Sequence, residues 1–251
     1  MIQKDSFHIV VMPPTSASLD LIQKVSAIIR QPEHQIKLQM AGKFLRIIGH
    51  CSTESKAVES VGLLVKLGVQ AFRISENELR RQSDGSFAAH TLEIRQVNLT
   101  FYNKAGKQKT IEESDVFLII AGKCSHTETL THIEHKMSLN LMSTILSGGL
   151  PIFKKEDVKQ ETTTNLSEQF IQLYGGQSDE PLLVIRQKDF DYSFLGQQKA
   201  AISTANISLT ITKLREHYCH SLFDDRLMFP FSYDDIATQL RLLWHYYREF
   251  N

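Results

Sequence analysis

Between Phe7 and Ile74 the spacing of apolar residues switches repeatedly between the period of a strand and that of a helix. This alternation constrains the fold more than any other feature of the chain. Phe7 to Met12 is a β-rich run closed by Pro13-Pro14. Ser18 then precedes Leu19, Ile22, Val25, Ile28 and Ile29, an apolar stripe at helical spacing with a capping residue in front. Pro32 opens a second helix carrying Ile36 and Met40, which Gly42 ends. Lys43 to Cys51 is a strand. Thr53 caps a helix with Val58, Val61, Leu64, Val65 and Leu67, stopped by Gly68, and Val69 to Ile74 alternates as a third strand. The predicted order is β-α-α-β-α-β.

Beyond a polar linker, Glu76 to Ser86, strands dominate. Leu92 to Tyr102 alternates as one strand, and Lys104 to Lys107 is a hairpin turn with Gly106 where positive φ is wanted. Val116 to Ala121 is a continuous apolar run, as a buried strand requires. Phe170–Tyr174, Leu182–Arg186 and Asp189–Leu195 read as further strands, and Thr204 caps a helix through Ile207, Leu209, Ile211 and Leu214. Residues 232–250 form a last helix, with Ser232 and Asp235 near its start and Trp244 as an anchor on its apolar face. The expected fold class is α+β. Its boundaries are 1–78 for a small α/β domain, 88–220 for a β-rich domain with an insertion at 124–167, and 222–251 for the C-terminal helix.

The insertion is the odd segment. It opens with the Ser/Thr/His-rich run from His126 to His135, and long segments of this kind often carry binding functions. Met137 to Leu146 places Leu139, Met142 and Leu146 at helical spacing, before Gly148-Gly149-Leu150-Pro151 and Lys154-Lys155. A Met-containing amphipathic face with basic flanks suits a partner's groove or a membrane surface; packing on its own domain is the structural alternative. The expected partner-binding residues are therefore Leu139, Met142, Leu146, Leu150, Lys154 and Lys155.

Composition narrows the chemistry. Lys plus Arg and Asp plus Glu are each 28, so no net charge favours nucleic acid, and the Lys104/Lys107/Lys109 hairpin has acidic residues interleaved nearby. No nucleic-acid partner is expected. Three scattered cysteines without a C-x-x-C argue for a reducing, cytoplasmic setting. No nucleophile elbow, phosphate loop, dinucleotide fingerprint or H-E-x-x-H occurs. No catalytic residue and no cofactor are assigned. Cys124, His126, His132 and His135 form the nearest approach to a metal site, His132 and His135 sharing a face if that segment is helical. A solvated His/Thr-rich loop is the simpler reading. Asp189 and Asp191 would share one face of a strand as an acid pair, although turn formation explains them more cheaply. His50 beside Cys51, and Cys219 between His217 and His220, point in different directions as chain neighbours.

Three resemblances add to this reading. The element order, with Ile36, Gly42 and the Leu67-Gly68-Val69 junction, resembles the C-terminal domain of the bacterial ribosomal stalk protein and the related Clp adaptor fold over residues 5–76. That likeness implies helix faces offered to protein partners; a ferredoxin-like module that only folds is the alternative. The strand, the Asn103-Lys-Ala-Gly106 turn, the next strand and Glu113-Ser-Asp-Val116 resemble a pleckstrin-homology-like (GRAM-like) barrel closed by a helix, with a split sheet packed on helices as the other form. Thr127-Glu128-Thr129, Ser138-Leu139, Gly148 to Pro151, Lys154-Lys155, Asp191-Tyr192, Leu195-Gly196 and Asn206 together resemble an uncharacterised bacterial protein family, which implies no activity. Helix 232–250 lies outside that pattern and reads as a local addition. The expectation is a non-enzymatic adaptor with a protein partner, its contact element at 136–153. The alternatives are a peripheral membrane-binding module and a metal-dependent hydrolase at Cys124–His135. Oligomeric state is left open.

Overall fold

The structure is a computed structural model that describes residues 6–81, 85–95, 98–139 and 153–251, with Arg95, 126–166 and 229–235 described in backbone alone. It is an α+β fold whose strands make three sheets. Chain contacts divide it into two compact units, 1–124 with 168–251, and 125–167.

The first seventy-odd residues form β1 (Phe7–Val11), α1 (Leu19–Ile29), α2 (Glu33–Gln39), β2 (Arg46–Cys51), α3 (Glu54–Lys66) and β3 (Ala71–Ser75). Ser18 caps α1 by accepting from the Leu21 N–H at 3.2 Å, and Gly42 and Gly68 take positive φ after α2 and α3. Strand β1 is central, antiparallel to both β2 and β3. Ile9 and Val11 pack with Ile22, Val25, Ile36 and Leu64 under the three helices. Val10, on the other face, joins Phe72 and Ile74 in a second core. With both faces covered, Ile9, Val10 and Val11 are all buried, which is why β1 reads as an uninterrupted apolar run. Helix α3 departs from expectation: Ala57 and Leu64 are its buried residues, while Val58 and Val65 stand exposed.

After the short α4 (Glu76–Arg80) come β4 (Phe87–Ala89), β5 (Thr91–Arg95), β6 (Asn98–Tyr102), β7 (Gln108–Ile111), β8 (Leu118–Leu139), β9 (Phe153–Tyr174) and β10 (Pro181–Arg186). Helix α5 (Ser203–His217), β11 (Leu222–Ser232) and α6 (Tyr233–Phe250) complete the chain. The five-stranded sheet runs β11-β8-β9-β10-β4, and a separate sheet runs β5-β6-β7. Among the described residues no strands close a barrel, so the second part has the split-sheet form.

Two strand expectations are corrected. Leu92–Tyr102 is two strands, β5 and β6, folded on each other with Leu92 opposite Phe101 and Arg95 opposite Asn98. Asp189–Leu195 is a turn leading into a 3-10 segment, Ser193–Gln198. Asp191 diverts the chain there, accepting from the Ser193 N–H at 3.0 Å and the Ser193 hydroxyl at 2.8 Å. The helix expected over 137–146 falls on the end of β8 as far as Leu139; residues 140–152 lie outside the described residues, as do the side chains of Ser232 and Asp235.

Helix α6 packs into the core between two sheets. Its Ile236, Leu240, Leu243 and Trp244 join Val10, Leu45, Phe72 and Ile74 of the first sheet to Leu118, Ile120 and Tyr174 of the five-stranded one. Gly122 of β8 has its own packing role in this region. A Cβ there would stand 2.8 and 3.0 Å from two ring carbons of Phe170, which lies over the glycine. Gly122→Val is therefore expected to cost about 2–3 kcal/mol by overpacking. In chemical denaturation the loss should shrink when Phe170→Leu is added; equal losses in the single and double variants would count against the clash.

Candidate functional site

Strand β4 ends the five-stranded sheet, parallel to β10 with Phe87 opposite Leu183, Ala88 opposite Val184 and Ala89 opposite Ile185. Phe87 and Ala89 turn into the core with Leu183 and Ile185. The six consecutive residues Gly85 to His90 line one open cavity of about 790 Å³. The cavity runs along β4, the terminal strand, and reaches Val184 and Arg186 on β10; at its His90 end the backbone is paired, the His90 N–H with the Tyr102 carbonyl and the His90 carbonyl with the Asp191 N–H.

The opposite wall is the β6–β7 turn, Asn103 to Lys109. Asn103 fixes it: its side-chain oxygen accepts from the Ala105 and Lys107 N–H groups at 3.0 and 2.9 Å, and Gly106 supplies φ of 76°. Lys104 and Lys107 stand on this rigid turn and Lys109 on β7 just beyond it, and Arg186 of β10 adds a fourth cation. Asp189 is the carboxylate in the lining, paired with Lys104 at 2.6 Å. Its hydrogen bond to Lys104 holds its carboxyl below the usual carboxylate range, so it stays ionised at neutral pH. Lys109 donates to the Leu182 carbonyl at 2.9 Å. Lys107 and Arg186 have no ion-pair partner among the described residues. His90 donates through Nδ1 to the Asp189 carbonyl, since a carbonyl only accepts, and its Nε2 is left for another contact. The result is a cationic groove beside the terminal strand of the sheet, an arrangement suited to an extended anionic chain.

The sequence found the three hairpin lysines but neither β4 nor Arg186. A strand of three residues, Phe-Ala-Ala, carries too little alternation to be seen. Arg186 joins the hairpin only through the parallel pairing of β10 with β4.

Among the residues expected to bind a partner, Met142, Leu146 and Leu150 lie outside the described residues, while Leu139 ends β8 and Lys154 and Lys155 lie on β9. Of the metal candidates, His126, His132 and His135 fall on the extended backbone of β8, where the helical i, i+3 relation does not apply. Cys124 donates its thiol to the Glu168 carbonyl at 3.5 Å, and burial, with Glu168 nearby, pushes its pKa up. Asp189 and Asp191 do not form an acid pair on one strand face, being committed to Lys104 and to Ser193 and Lys199.

His50 is engaged by His8 rather than by Cys51. The two Nδ1 atoms lie 2.7 Å apart, and His8 Nε2 meets the Glu76 carboxylate, which also takes Arg80. Burial alone would raise the Glu76 carboxyl, but His8 and Arg80 hold it below the usual range. The Nδ1–Nδ1 bond needs one proton between the two rings. This line was hidden because Glu76 enters only through the pairing of β1 with β3, which sets Phe7 opposite Ser75.

No protein-family model matches the chain, and neither do curated proteins or solved structures.

Proposed function

We propose that this chain is a non-enzymatic interaction protein that docks an extended, acidic segment of a partner protein along the edge of β4. The observation that carries the proposal is the lining of the groove, where Gly85 to His90, with β4 at their centre, face a wall bearing Lys104, Lys107 and Lys109, with Arg186 alongside. An added strand draws affinity from backbone hydrogen bonds and specificity from side chains at alternate positions. Acidic residues on the alternate positions of such a segment would meet Lys107 and Arg186, which also speeds encounter. The stalk-protein and adaptor likeness supports the same class of role. The 136–153 element belongs to the proposal as a second contact, supported by its apolar Leu139, Met142, Leu146 and Leu150 and by the Lys154-Lys155 pair that follows.

The probe is a fluorescein-labelled alternating Glu-Val octapeptide, read by anisotropy against a Lys-Val octapeptide. The Glu-Val probe should bind and the Lys-Val probe should not. The Lys107→Glu/Arg186→Glu variant is expected to weaken binding roughly tenfold or more. N-methylation of alternate peptide nitrogens should weaken it comparably, because it removes ladder donors while keeping every charge. Equal binding of both probes, or indifference to both changes, would sink the proposal.

A further inference from the structure

A second cluster lies away from the groove, where the turn after β7 meets the loop after α5. Glu113, Cys219 and His220 place a carboxylate oxygen, a thiol sulfur and an imidazole nitrogen within 4.8 Å of one another. Cys219 Sγ is 3.2 Å from Glu113 Oε1, and His220 Nε2 is 3.8 Å from the same oxygen. Zinc bonds of about 2.0–2.3 Å at tetrahedral angles set donor atoms roughly 3.3–3.6 Å apart. The two separations from Glu113, 3.2 and 3.8 Å, stand near those that a bound ion would impose, and the thiol and imidazole are within 4.8 Å of each other.

The backbone around them is fixed on both sides. Tyr218 donates its hydroxyl to the Ile111 carbonyl at 3.4 Å, just before Cys219. Ser221 donates its hydroxyl to the Val116 carbonyl at 3.0 Å, and the Leu222 N–H reaches the Phe117 carbonyl at 3.0 Å, just after His220. Glu113 opens a 3-10 turn, Glu113–Asp115, closed by the Asp115 carboxylate accepting from the Glu112 N–H at 3.0 Å. Three pins thus hold the two ligand-bearing segments in register, leaving only side-chain rotations to order on binding. Cys219 and His220 are exposed, and a cavity of about 320 Å³ opens beside Cys219, so an ion has a path from solvent.

The donor set selects the ion. A sulfur and an imidazole favour zinc-like transition metals over calcium or magnesium, which take all-oxygen sites. The Cys219 thiol donates its hydrogen to a Glu113 carboxylate oxygen. A divalent cation takes that proton's place between sulfur and carboxylate, releasing it to solvent and leaving thiolate as ligand. We propose that Glu113, Cys219 and His220 bind a zinc-class divalent metal ion through three protein ligands, with the fourth position open to water. This site is separate from the Cys124–His135 run and does not depend on the peptide groove.

Cobalt(II) serves as the probe, titrated into the metal-free full chain. One equivalent should produce a thiolate-to-cobalt charge-transfer band together with the visible bands of a tetrahedral ion, and zinc should bleach both. Cys219→Ser should abolish the charge-transfer band, while Cys124→Ser leaves it intact. Glu113→Gln keeps an acceptor for the Cys219 thiol and so preserves the fold, but should weaken binding by more than the roughly 10–100-fold that loss of an outer-shell partner costs. His220→Ala should do the same. A band that survives Cys219→Ser, a band lost only in Cys124→Ser, or no tetrahedral spectrum in the unsubstituted chain would each overturn the assignment.

Discussion

Replacing Asp224 by alanine is expected to destabilise the protein by about 3 kcal/mol, the lower end of the range for breaking a buried ion pair. Asp224 is 3% exposed and accepts from the Arg226 N–H and Nε, each at 2.8 Å, and from the Tyr247 hydroxyl at 3.0 Å. Arg226 Nη2 also binds it, and the guanidinium lies 5.6 and 5.8 Å from the Tyr246 and Tyr247 ring centres. Without the carboxylate, a largely buried cation remains among aromatic rings with no anion to answer it. Because the Arg226 side chain is 24% exposed, water recovers part of that loss, which is why the lower figure is expected. The denaturant midpoint should fall with an unchanged slope. Arg226→Met in the same background should restore part of the loss, since removing both charges abolishes the orphan. A single-variant loss under about 1 kcal/mol would show that the pair stabilises no more than a surface one.

Trp244→Ala should cost about 3–5 kcal/mol, the usual range for truncating a large buried aromatic. Trp244 is 2% exposed, donates Nε1–H to the Gly175 carbonyl at 3.2 Å, and has Arg248 5.0 Å from its ring centre. Its neighbours belong to two different sheets, with Val10 and Phe72 on one side and Leu118 and Ile120 on the other. Trp244→Phe keeps most of the apolar surface and loses the indole donor, so its cost should be nearer 1–2 kcal/mol. The contrast distinguishes packing from hydrogen bonding. Near-equal losses in the two variants would assign the effect to the Gly175 bond.

The first part of the fold was legible because its signals were local. Ser18, Gly42 and Gly68 marked helix ends chemically, and each sits at the end it announced. The Leu92–Tyr102 run failed for the opposite reason. Its apolar residues change phase, from Leu92 and Ile94 to Val97, Leu99 and Phe101, and with no Gly or Pro to mark a turn that shift was the one sign of two paired strands. Asp189–Leu195 failed because its apolar residues are buried without being extended: Phe190, Tyr192 and Leu195 all enter the core from a turn. The groove was half legible. Its lysines lie on one hairpin, but its edge and Arg186 come together only through pairing between distant strands, a relation a single sequence does not encode. Glu113 with Cys219 and His220 is the same case over a longer separation.

Helix α6 has a consequence for how this protein is made. A chain emerges from the ribosome in order, and β3 ends at Ser75 while α6 begins only at Tyr233. At about 5–20 residues per second, the face of the first sheet carrying Val10, Phe72 and Ile74 waits roughly 8–30 s for its cover. During that interval the nascent chain displays a paired, twisted sheet with a bare apolar side, the kind of surface that chaperones hold and that neighbouring nascent chains on one message can join.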